Sequence, residues 1–190
     1  MAHFAEEAAR SLQGAWRLLQ RQDDGLSRFE VSESGFWRSF GAIALSFPAF
    51  ITLLAAERAH EGLHPGALFT EAGPVFRATV VFLAIWATPL IATWLIAGLL
   101  DLRRRAAGFI IALNWSGLLA AAMLALPALL FATNLATEAH AFVFTVAALA
   151  LIAHLQWFTA KLALGVSGGV AAALVCAEFG IGALLRGALA

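Results

Sequence analysis

The chain has 190 residues, 62% of them hydrophobic and only 13% charged, with a mean hydropathy of +0.85. That balance exceeds what a water-soluble surface tolerates, so lipid is the expected solvent for most of the chain. Twelve basic and twelve acidic residues cancel, which leaves no long-range field to recruit nucleic acid.

In chain order, residues 1–36 read as a cytoplasmic amphipathic helix and linker, followed by a transmembrane domain over 37–187. At ~100° per residue, Phe4, Ala8, Leu12, Ala15, Trp16, Leu18 and Leu19 fall on one half of the wheel. Glu6, Glu7, Arg10, Gln13, Arg17, Gln20 and Arg21 fall on the other half. Such a helix suits a membrane surface or a docking partner. The first 38 residues hold five arginines and six carboxylates with no compact apolar run, so no cleaved leader is expected. Asp23-Asp24-Gly25 reads as a turn, and Ser32 or Ser34 as the cap of the helix that enters the bilayer.

Crossing ~30 Å of hydrocarbon takes roughly 20 apolar residues. Intervals poor in Asp, Glu, Lys and Arg predict five spans, over 39–58, 78–100, 106–131, 139–160 and 162–185. The fold class is thus all-α: a polytopic helical membrane protein with five transmembrane helices behind an amphipathic N-terminal one. Pro127 followed by Ala132-Thr133-Asn134 ends the third span, and Pro48 and Pro89 are candidate kinks in the first two. With the N-terminus inside, nine basic residues lie on the cytoplasmic side and three outside, which predicts N-in and C-out. One lysine against eleven arginines in an alanine-rich chain points to a bacterial inner membrane, with the C-terminus periplasmic.

Among chemistry-bearing residues, His60-Glu61-Gly62-Leu63-His64 resembles the H-E-x-x-H of zinc metalloproteases over those five residues. On a helix, that spacing puts two imidazoles on one face, where both reach one zinc and the glutamate activates a water. Gly62 and Pro65 work against a continuous helix, and no third histidine of the extended pattern follows. A polar external loop is the alternative. The predicted topology brings Glu71, Glu138 and His140 to the same outer side, as further ligands for zinc or copper if the first and fourth spans pack together. No cofactor is otherwise expected.

Glu178 is the acidic residue inside a span, about 10 Å below the outer surface by helical rise, and suits either helix packing or an ion, proton or substrate role. His154 lies in the inner half of the fourth span, and no second intramembrane histidine stands at its depth to complete a haem. His154, Gln156, Asn114 and Ser116 are expected to exchange interhelical hydrogen bonds. Gly165, Gly169 and Ala173, with Gly180 and Gly182 beyond Glu178, form a small-residue stripe on the last span, and Cys176, the single cysteine, reads as a packing residue. The expected function is a non-catalytic accessory, scaffold or assembly subunit of a larger inner-membrane complex, whose partners are the bilayer and other membrane subunits or a second copy. Two alternatives remain open: a small oligomeric transporter or channel using Glu178, and an outer-face metal protein or peptidase.

Overall fold

The computed structural model describes residues 2–62, 72–99 and 102–189. Among them, every regular element is helical. The chain runs through α1 (Ala2–Leu19), a 3-10 turn (Asp23–Arg28), α2 (Glu33–Ser39), α3 (Gly41–Leu45), α4 (Phe47–His60), α5 (Ala72–Leu99), α6 (Arg103–Ala132), α7 (Glu138–Leu164) and α8 (Gly168–Leu189). Five of the described stretches are long and apolar enough to cross a membrane: Glu33–His60, Val75–Trp94, Arg105–Ala132, Glu138–Leu164 and Gly168–Leu185. All five predicted spans overlap them.

Besides α5, which begins at Ala72 rather than residue 78, the boundaries differ in two places. The first span begins at Glu33 rather than residue 39, and it is three helices, not one. Ser32 accepts a hydrogen bond from the Gly35 amide at 3.0 Å and starts α2. The chain breaks at Phe40 and again at Ser46, and Pro48 sits in the first turn of α4, where its missing N–H costs nothing. The interruption at Ser46, just before Pro48, lies where a proline within the Glu33–His60 span removes a helical hydrogen bond. The second difference is the α7–α8 boundary. Lys161 does not end α7, which continues to Leu164 and stops at Gly165 in the left-handed conformation (φ 66°). The Arg105 guanidinium donates to the Leu164 carbonyl at 2.9 Å and Trp157 Nε1 to the Gly168 carbonyl at 2.9 Å. The first bond satisfies a carbonyl that the end of α7 would otherwise leave open, and the second ties α7 to the first residue of α8.

α6 is the hub, packing against α1, α2, α3, α4, α5 and α7, while α8 lies on α7 and α5. Lipid is as apolar as leucine, so close packing and polar contacts hold such helices together rather than the removal of apolar surface from water. Phe50 of α4 meets Phe82 of α5 with ring centroids 4.7 Å apart. Phe109 and Leu113 of α6, Ala160 and Leu164 of α7 and Ala171 of α8 form a second cluster.

The largest cluster joins the N-terminal segment to the bundle. Ala8, Ala15 and Leu18 of α1 share it with Ile111, Ala112 and Trp115 of α6 and Leu155 and Phe158 of α7. Among the described residues of the N-terminal segment, the buried apolar side chains Ala8, Ala15, Leu18 and Phe29 all belong to this cluster. The following 3-10 turn folds back so closely that a Cβ on Gly14 would stand 2.8 Å from the Gly25 carbonyl oxygen, and one on Gly25 would stand 2.7 Å from that of Gly14. Arg10–Glu30 at 3.3 Å, Arg17–Asp24, and Arg38–Glu7 at 2.5 Å tie the segment together.

Gly165 gives this fold a direct test. A β-carbon there would meet both the left-handed backbone penalty and the Arg105 guanidinium. Gly165→Ala should lower stability by about 1–2 kcal/mol, read as the denaturation midpoint in mixed micelles, whereas Gly182→Ala should be neutral or slightly stabilising. A Cβ on Gly182 meets nothing within 4 Å. Equal effects of the two substitutions would contradict the capping role of Gly165.

Candidate functional site

At the His60 end of the bundle, α4 terminates at His60, Glu61 caps it, and Gly62 turns left-handed (φ 74°). The glycine that completes this C-terminal turn also stops the helix. α4 therefore does not carry two imidazoles one turn apart on a shared face. His64 and Glu71 lie outside the described residues. The start of α7 does come close: His60 Nδ1 lies 3.8 Å from Glu138 Oε1, and its ring is 6.1 Å from that of Phe131. His140 is engaged elsewhere, since its Nδ1 lies 2.9 Å from Thr137 Oγ1, which also caps α7 by accepting from the His140 amide at 3.4 Å. Among the described residues, no three His, Cys, Asp or Glu side chains form a group able to hold a metal.

Inside the spans, His154 is half-buried and stacks on Phe158 at 6.5 Å with rings 8° from parallel. Glu178 is half-buried in α8, and its Oε2 is buried with no hydrogen-bond partner among the described residues. Asn114 Nδ2 donates to Ser39 Oγ at 2.9 Å in a buried setting, while Ser116 Oγ and Gln156 Oε1 are buried with no hydrogen-bond partner among the described residues.

The small-residue stripe is longer and differently placed than its first three members suggest. Gly165 is the cap of α7 and is not part of α8. Gly169 and Ala173 are on α8, and the series continues through Cys176, Gly180, Ala183 and Gly187, in alternating steps of four and three residues. All six are exposed. The buried residues Ala171 and Val175, and half-buried Glu178, occupy the opposite side of the helix. A Cβ on Gly180 or Gly187 would meet nothing within 4 Å. The chain thus covers one side of α8 and leaves a seam of small residues open along the other.

The composition of the polar layer where α1, α2, α6 and α7 meet goes beyond Asn114, because α1 contributes to it. Glu7 is 2% exposed and Ser11 is fully buried, although the wheel put Glu7 on the solvent side. Arg38 Nε donates to Glu7 Oε2, while Glu7 Oε1, Ser11 Oγ, Asn114 Oδ1, Trp115 Nε1 and Thr159 Oγ1 are buried without partners among the described residues. A signal existed: Glu7, Ser11, Gly14 and Leu18 recur at helical spacing, and the small Ser11 and Gly14 mark a close-packed stripe. The inward side of α1 is centred on Ser11, and the apolar half-wheel is split. Ala8, Ala15 and Leu18 point into the core, while Trp16 stays 52% exposed. Comparison with known protein families, characterised proteins and solved structures returns no match.

Proposed function

We infer that this chain is a non-catalytic accessory or scaffold subunit of a larger membrane complex, joined to its partner along α8. The observation that carries the reading is the open seam of Gly169, Ala173, Cys176, Gly180, Ala183 and Gly187. Small side chains let a second helix approach closely enough for extensive backbone contact, which is the main source of helix affinity within lipid. Alternating steps of three and four keep one face aligned with a partner crossing at about +20° in a left-handed sense. Facing lipid alone, the same seam would gain little from being small.

Cys176 lies midway along the seam and is the chain's single cysteine. Thiol-directed cross-linking in native membranes should therefore capture a stoichiometric partner through Cys176, either a different subunit or a second copy. Cys176→Ser should abolish the product and Gly180→Leu should reduce it severely. A chain that stays monomeric by intact mass in lipid nanodiscs extracted without detergent, with Cys176 yielding no product, would defeat the reading.

The same proposal places the protein in a bacterial inner membrane, with Arg103–Arg105 and Lys161 facing the cytoplasm and the C-terminus outside. Support comes from the nine-to-three distribution of basic residues. In a Cys176→Ser background, Ser27→Cys should be shielded from a membrane-impermeant maleimide in intact cells and Glu61→Cys should be labelled. Both positions are exposed. The reverse labelling pattern would invert the topology.

A further inference from the structure

α1 divides its surface into three sectors rather than two. At ~100° per residue, Glu7, Ala8, Ser11, Ala15 and Leu18 face the bundle and are buried. Next around the helix come Ala5, Ala9, half-buried Leu12 and exposed Trp16, an apolar edge that its own chain leaves largely uncovered. Glu6, Arg10, Gln13, Gln20 and Arg21 complete the circle and are exposed. A shallow groove of about 680 Å³ runs along the boundary between the last two sectors, with Ala9, Leu12 and Trp16 on its apolar side and Gln13, Arg17 and Gln20 on its polar side.

The level at which α1 crosses the bundle identifies what meets that edge. α6 and α7 have 30 and 27 residues, so at ~1.5 Å per residue they exceed a ~30 Å hydrocarbon core by about 10–15 Å. Counting the roughly 20 residues of a span from the His60 end leads from Ala132 to Ala112, from Glu138 to Phe158, and from His60 to Phe40. α1 lies at all three places. Ala8, Ala15 and Leu18 share a core with Ala112 and Phe158. Phe4 sits against Gly41, with its Cζ 2.6 Å from where a Cβ would stand, and 6.2 Å from the Trp115 ring. Trp37, 67% exposed, and Trp157 belong to the same level, and tryptophan concentrates where hydrocarbon gives way to headgroups. Beyond it lie Arg105 and Lys161, both exposed.

We propose that α1 lies in the plane of the bilayer interface at the basic end of the bundle, with Ala9, Leu12 and Trp16 against lipid acyl chains and Gln13, Arg17 and Gln20 in the headgroup layer. The apolar edge is continuous with the lipid-facing surface of the spans at the depth where that surface ends. An interfacial helix gains from burying its apolar side at the acyl boundary while its polar side remains hydrated. Charge is a minor term in this contact, because Arg10, Arg17 and Arg38 are each paired with a carboxylate of the N-terminal segment and Arg21 lies over the Trp157 ring, 5.7 Å from its centroid. The contact is independent of whatever α8 binds.

Nitroxide labels on Leu12→Cys, Trp16→Cys, Gln13→Cys and Gln20→Cys, each in full-length Cys176→Ser protein, test the proposal in phosphatidylcholine vesicles with and without phosphatidylglycerol. Labels at positions 12 and 16 should collide with dissolved oxygen several-fold more often, relative to an aqueous nickel chelate, than labels at 13 and 20, in both kinds of vesicle. Labels at 12 and 16 reached by the chelate as readily as those at 13 and 20 would place the edge in water and overturn the proposal. Labels at 12 and 16 reached by neither reagent would show protein covering the edge and overturn it equally.

Discussion

The rest of the structure depends on one stretch of α6 that is buried on every side. Residues 109–116 are all buried, and Ala112 and Asn114 are wholly inaccessible. The stretch carries Asn114, Trp115 and Ser116, polar groups that an apolar surrounding would leave unsatisfied, and α1, α2, α3, α4, α5 and α7 pack around this helix. The N-terminal helix is one of these neighbours, which explains why a segment carrying five arginines belongs to the same core as the spans. Asn114 and Ser39 add a directional bond within this layer, worth about 0.6–2 kcal/mol between membrane helices, and thereby fix the register of α2 on α6.

How much of this was legible in the sequence follows from which physical signals are long-range in the chain. Five apolar stretches of the required length are a cumulative signal over about 20 residues each, and all five reappear in the fold. Boundaries depend on single residues and were less secure. Lys161 looks like the end of a span because it is charged, yet a cation in the last turn of a helix is favourable, and the true stop is Gly165, where a left-handed turn is needed. Pro48 marks the place of an interruption within the first span, but its form, a break at Ser46 with the proline in the first turn of the next helix, needed the structure.

The site residues divide in the same way. Asn114 was legible because an amide in an apolar helix requires a partner. The H-E-x-x-H spacing implied a shared helical face, but Gly62 ends α4 before a second imidazole could join it. Gly169, Ala173 and Gly180 were visible in sequence, while telling the seam from Gly182 required knowing that α8 turns Ala171, Val175 and Glu178 toward its neighbours. Glu7 was hidden because a wheel sorts residues by polarity, and its burial depends on Arg38, thirty-one positions away in sequence. Such an ion pair follows from tertiary proximity alone.

The resulting protein is a bundle with a helical strap at one end and an open helix along one edge. The strap completes the core, while the open seam on α8 is available to another chain. Whether α1 is truly part of the core is decided most directly by hydrogen–deuterium exchange on the full chain in lipid nanodiscs. If α1 completes the burial of residues 109–116 on α6, amides 8–18 should exchange as slowly as those of that stretch, because opening α1 would expose the shared core. Complete exchange of amides 8–18 within seconds, with α6 still protected, would make α1 a loosely attached surface helix and contradict the account.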